Sequence, residues 1–148
     1  MQTIRETNVT VRYNRPVARG RELFGALVPY GRPWCPGADE ATTFEFSRDV
    51  TLAGQRVAAG KYGIWAIPSA GEWTLILSTA ADAWHTPYPE GKDAYRVQLR
   101  PRRGSHMEAL AFYFPVADST AATLAFHWGE TVVDIPIETV SSTSEIRD

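Results

Sequence analysis

The chain has 148 residues, 44% of them hydrophobic and 22% charged, with 17 acidic against 15 basic side chains and a net charge of -2. That length carries one hydrophobic core of ordinary size, and the composition is that of a folded protein rather than a disordered or fibrous one. The near-neutral charge lacks the basic footprint that phosphate backbones and anionic lipid require, so neither nucleic acid nor a membrane is an expected partner.

The first predicted element is a strand, because Val9, Val11 and Tyr13 alternate with Thr10 and Arg12 in the period-two pattern of a half-buried strand. A long connection follows from Arg15 to Ala41, and within it only Arg21 to Leu27 has the pattern of a short helix. Arg12, Arg15, Arg19 and Arg21 cluster at its start and read first as a solvated face, second as an anion site. Phe44 and Phe46 open the next strand. Val50 and Leu52 then approach a turn at Ala53-Gly54, with Val57 beyond it, which is a hairpin signal.

Tyr62 to Pro68 is apolar on both faces, with Tyr62, Ile64 and Ala66 on one and Trp65 and Ile67 on the other. Trp73 to Ser78 is similar, so these two strands are expected to pair at the centre of the fold. A second long connection runs from Thr79 to Asp93. Tyr95, Val97 and Leu99 then form a strand with one wet face. Gly104-Ser105-His106-Met107, which also occurs as a cloning scar, is read as a native loop. Leu110, Phe112 and Phe114 follow, then Leu124, Phe126 and Trp128. Gly129-Glu130 is read as a tight turn into Val133, Ile135 and Ile137, and Pro136 places that last strand at an edge or a bulge. About nine short strands predict an all-β fold, an antiparallel β-sandwich or flattened barrel. One domain is expected over residues 1–148, with a frayed polar tail at 141–148.

Cys35 is the single cysteine, so no intramolecular disulfide forms and no multi-cysteine metal site exists. His85, His106 and His127 have no metal-ligand spacing, and neither a metal nor a cofactor is expected. The amino-terminal residues carry no apolar export segment, which makes the cytoplasm the expected location.

Chemistry is expected in the two long connections, which exceed ordinary loop length and are rich in aromatics and proline. Asp39 and Glu40 are the candidate acid/base carboxylates, the alternative being that they tie a turn to backbone amides. Cys35 reads as a buried, inert thiol before it reads as a nucleophile, since no histidine stands beside it. His127 alternates with Phe126 and Trp128 and reads first as a satisfied structural histidine. Trp34, Trp84 and Tyr88, with Arg21 and His127, form the expected ligand-binding set, the three aromatics walling a pocket roofed by both loops.

The run Arg15-Pro16, Arg19-Gly20-Arg21, Phe24-Gly25, Leu27-Val28-Pro29-Tyr30-Gly31, Trp34 and Gly37 to Thr42, continued by Gly60-Lys61-Tyr62, Ile67-Pro68 and Trp73-Thr74, resembles a bacterial family named domain of unknown function 2911. The resemblance spans Val9 to Ile137 and implies an all-β domain without an agreed activity. The chain departs from the family pattern at Cys35, where arginine is usual, and at Asp39, where asparagine is. Many relatives look exported, and this chain does not.

No hydrolase triad, phosphate loop or nicotinamide fingerprint is present. The expected function is therefore binding of a small molecule, with a cofactor-free enzyme of isomerase or cyclase type as its active form. The alternative is a non-catalytic interaction or carbohydrate-binding module. A homo-oligomer is compatible with either.

Overall fold

The alternating segments become ten strands in a computed structural model that describes residues 2–4, 6–36, 41–82, 87–118 and 120–140. They are β1 (Gln2–Ile4), β2 (Thr7–Arg12), β3 (Thr43–Phe46), β4 (Val50–Leu52), β5 (Gln55–Val57), β6 (Gly60–Ile67), β7 (Trp73–Ser78), β8 (Asp93–Leu99), β9 (Arg102–Ala117) and β10 (Ala121–Thr139). One sheet has the order β1-β2-β3-β6-β7-β8 and the other β5-β4-β10-β9. Every strand pairing is antiparallel. The result is an open sandwich rather than a closed barrel.

Phe44, Ile64, Leu75 and Leu77 of the larger sheet and Leu110, Leu124, Phe126 and Ile135 of the smaller share one buried core. Each fully buried aliphatic or aromatic side chain contributes about 1.5–3 kcal/mol, so this layer dominates the stability of the fold. The central pairing of β6 with β7 is as expected, and neither strand lies at an edge. Alternation along β6 also holds. Tyr62, Ile64 and Ala66 face the sandwich, whereas Trp65 faces outward into a second cluster with Cys35, Ala41 and Ile76.

Three local expectations are corrected. Arg21 to Leu27 is not helical: Gly25 has φ +90°, and Val28, which precedes a proline and is therefore disfavoured in helical geometry, donates to the Leu23 carbonyl at 2.8 Å. Gly104 to Met107 is not a loop but part of β9, whose pairing with β10 continues through Gly129 opposite Met107 and Thr131 opposite Arg103. Gly129-Glu130 is not a turn but lies between two register shifts inside β10, with Gly129 at φ +60°. The expected count of about nine strands agrees with the ten described, of which β1 is an outer strand beside β2.

Pro136 lies in a strand with neighbours on both sides, yet at a point where only one of them is near. The β9 pairing ends at Val132, and Pro136 offers its carbonyl to the Ala53 amide at 2.8 Å where β4 turns away. Its missing N–H therefore costs the ladder little.

Candidate functional site

The first long connection, described at residues 13–36 and 41–42, shapes two open clefts on the surface of the molecule. It begins as a partial strand on β9, with the Leu110 amide donating to Pro16 at 2.9 Å and the Ala18 amide to Glu108 at 2.8 Å. It then makes the tight turn around Gly25 and crosses the β10 bulge. Leu23 rests on Gly129 there, so closely that a Cβ at Gly129 would lie 2.8 Å from the Leu23 Cδ1. Phe24 plunges into the core, edge-on to Trp73 at 4.6 Å and to Trp34 at 5.5 Å.

Residues 31–36 and 41–42 lie along β6 in the place that β3 vacates. Gly31 donates to Pro68 at 2.9 Å, Trp34 and Ala66 exchange two backbone hydrogen bonds, and Ile64 donates to Thr42 at 2.8 Å. Because successive residues of extended chain point to opposite faces, Trp34 enters the sandwich while Cys35 lies outside it beside Trp65.

Two clefts open where this connection meets the β9–β10 bulge. One, of about 470 Å³, runs past Arg21, Glu22, His106 and Trp128. The other, of about 350 Å³, runs past Ser69, Trp73, Arg102 and Arg103. They share Phe24, Tyr30, Glu130 and Thr131, so Tyr30 stands between them as a common wall. Tyr30 keeps 47% of its surface exposed. Its edge covers Gly25 so closely that a Cβ there would lie 2.9 Å from the ring Cε2. The sandwich interior, by contrast, holds an apolar void of only about 20 Å³, bounded by Trp73, Leu99 and Phe126 among others.

Most charges around the clefts are paired, Glu22 at the larger cleft standing apart. Arg103 Nη2 lies 3.0 and 3.2 Å from the two Glu130 carboxylate oxygens, and Arg102 Nε lies 2.7 Å from Asp134. His106 Nε2 lies 2.9 Å from Glu108, whose other oxygen accepts the Arg19 amide. These two contacts, the histidine first, hold the Glu108 carboxyl below its ordinary pKa.

The sequence-derived site residues are dispersed. Arg21 lines the larger cleft but turns its guanidinium inward, donating from Nε to Ala18 and from Nη2 to Val17. Arg15 similarly donates from Nε to the Leu110 carbonyl. The arginine run thus supports its own connection. Trp34 stacks on Trp128 with the rings 7° from parallel and 6.0 Å apart, as part of the core. Tyr88 lies on the outer face, edge-on to Trp65 at 5.3 Å, its hydroxyl bonded to Asp93. Burial first, then that carboxylate, raises the Tyr88 pKa. Trp34 and Tyr88 therefore do not wall one pocket. His127 is 4% exposed with both ring nitrogens occupied. The Ser105 carbonyl can only accept, so Nε2 donates to it and Nδ1 accepts from the Tyr113 hydroxyl. Burial pushes the Cys35 thiol up to about 11. Asp39, Glu40, Trp84 and the tail at 141–148 lie outside the described residues.

Sequence reasoning missed Tyr30, Gly25 and Glu130. The available signal was the run from Phe24-Gly25 to Tyr30-Gly31, where an aromatic residue sits between proline and glycine. Among the described residues no group of three or more His, Cys, Asp or Glu side chains is placed to hold a metal ion, and no helix is long and apolar enough to cross a membrane. No curated protein and no solved structure matches the chain. The family model described as "Protein of unknown function (DUF2911)" matches residues 1–137, and the chain belongs to that family.

Proposed function

We propose that this protein is a non-catalytic binding module whose ligand lies against Tyr30 in the clefts beneath the first long connection. The observation that carries the reading is the seating of Tyr30: a half-exposed aromatic ring, fixed over Gly25, shared by two clefts whose volumes fall in the range of small-molecule sites. A rigid, amphipathic ring held in place before binding loses little entropy when a ligand arrives. What favours binding over turnover is the state of the nearby ionisable groups. A carboxyl group that acts as general acid for an isomerase or cyclase must keep its proton near neutral pH. Glu130 is instead paired with Arg103, and Glu108 is held ionised by His106 and the Arg19 amide.

The test is a calorimetric screen of small metabolites against the protein and its Tyr30→Ala variant. Binding that weakens at least about tenfold in the variant, with unchanged melting temperature and unaltered ligand recovered afterwards, is the expected result. A bound compound recovered as an isomer or cyclised product would overturn the non-catalytic reading. Undiminished binding by Tyr30→Ala would place the site elsewhere.

A further inference from the structure

Resting on that reading of the clefts, we infer that their ligand is a neutral pyranose, a monosaccharide or the end residue of a longer glycan, stacked on Tyr30 and held through its hydroxyls by the Arg103–Glu130 pair.

Most charged groups around the clefts already face a partner. The Arg102 and Arg103 guanidinium groups each face a carboxylate, His106 faces Glu108, and the Arg21 guanidinium is turned onto two carbonyls of its own connection, while Glu22 at the larger cleft stands outside these pairs. An anionic ligand would meet a carboxylate beside the Arg102, Arg103 and His106 cations, and a cationic ligand at the Tyr30–Glu130 rim would meet the Arg103 guanidinium. A sugar hydroxyl meets neither obstacle, because it donates and accepts at once. Arg103 and Glu130 set donors beside acceptors, with Nη2 3.0 and 3.2 Å from the two carboxylate oxygens. Two neighbouring ring hydroxyls can bridge that pair, one accepting from the guanidinium and the other donating to the carboxylate. Ser69 and Thr131 add hydroxyl groups at the same rim.

The apolar half of the ligand is equally specified. One face of a pyranose presents C–H groups in a flat array, and an exposed tyrosine ring of fixed orientation offers a matching surface. Gly25 fixes that orientation. It is a positioning residue, since a Cβ there would lie 2.9 Å from Cε2 and 3.0 Å from Cζ of Tyr30 and would lever the ring away.

The experiment is a broad glycan array, followed by calorimetry with the methyl pyranoside of the best hit. Phosphate, citrate and adenosine monophosphate serve as the charged comparison set. A methyl pyranoside should bind with affinity that is insensitive to salt, since no net charge is neutralised. Tyr30→Ala and Glu130→Gln should each weaken it by about tenfold or more, and Tyr30→Trp should retain it. Gly25→Ala should weaken binding, whereas Gly20→Ala should not. Gly20 also has positive φ, at +70°, but no atom lies within 4 Å of the added Cβ, so it controls for backbone strain alone. If no glycan binds, or if the bound pyranoside is held equally by Glu130→Gln, the pyranose assignment fails. A charged probe that binds and is lost in Tyr30→Ala would sink this inference while leaving the binding-module reading intact. A pyranoside that binds undiminished to Tyr30→Ala would sink both.

Discussion

A thiol moved from water into an apolar cluster keeps its proton to higher pH, and Cys35 does so among Ala41, Trp65 and Ile76. The folded pKa of about 11 stands above the ordinary value of 9.0, so between those values the folded chain holds a proton that the unfolded chain has released. Stability from this group is therefore complete below pH 9 and declines as pH rises toward 11, by about 2–3 kcal/mol for the full shift. Cys35→Ala removes that dependence while leaving Tyr62, whose pKa is likewise raised, to about 12, common to both proteins. Urea unfolding across the alkaline range should show the parent losing stability more steeply than the variant, and coincident slopes would refute the shift. The burial of Cys35 was legible from its lack of a neighbouring base. The exposure of Tyr30 was not, because nothing in a linear pattern separates an aromatic residue lying over a glycine of its own turn from one packed in the core.

At the scale of elements, the β4–β5 hairpin shows both what a sequence specifies and what it leaves imperfect. Leu52 pairs with Gln55 across two residues, Ala53 and Gly54, whose φ values are +49° and +84°. Both central positions of such a turn favour residues tolerant of the left-handed region, which glycine meets freely and alanine does not. Ala53→Asn should therefore stabilise the protein by about 0.5–1 kcal/mol, read as a raised urea midpoint at unchanged slope. A lowered midpoint would mean that the turn is shaped by its neighbours instead. This hairpin was legible because an Ala-Gly pair between alternating apolar residues has one simple reading. Gly104 and Gly129 were misread because glycine marks both turns and bulges, and only the partner strand tells them apart. A Cβ at Gly104 would lie 2.7 Å from the Val132 Cγ2, a contact made by residues 28 positions apart in the chain. The candidate site suffered the same way: its wall is assembled from the connection after β2 and the far bulge of β10.

For the whole molecule, the strand inventory announced an antiparallel sandwich or flattened barrel, but not which strands would be left at the edges. β9 is an edge of the smaller sheet, 16 residues long, and Val116 near its end is largely exposed. Such an edge presents unpaired backbone groups that invite another chain to add a strand. The first connection covers its middle, from Glu108 to Phe112. Pro16 and Ala18 pair with Leu110 and Glu108, the Arg15 Nε donates to the Leu110 carbonyl at 2.9 Å, and the Tyr13 hydroxyl donates to the Phe112 carbonyl at 3.2 Å. The same connection then shapes the clefts, so edge protection and the proposed ligand site are two parts of one segment. Combining Tyr13→Phe with Arg15→Ala removes both side-chain caps, at about 1 kcal/mol each, and leaves the core packing of the sheets in place. The double variant should retain the parent's far-ultraviolet circular dichroism yet show a mass by light scattering that rises with concentration more steeply than the parent's. Identical mass profiles would mean that the Pro16 and Ala18 backbone pairing protects the edge unaided.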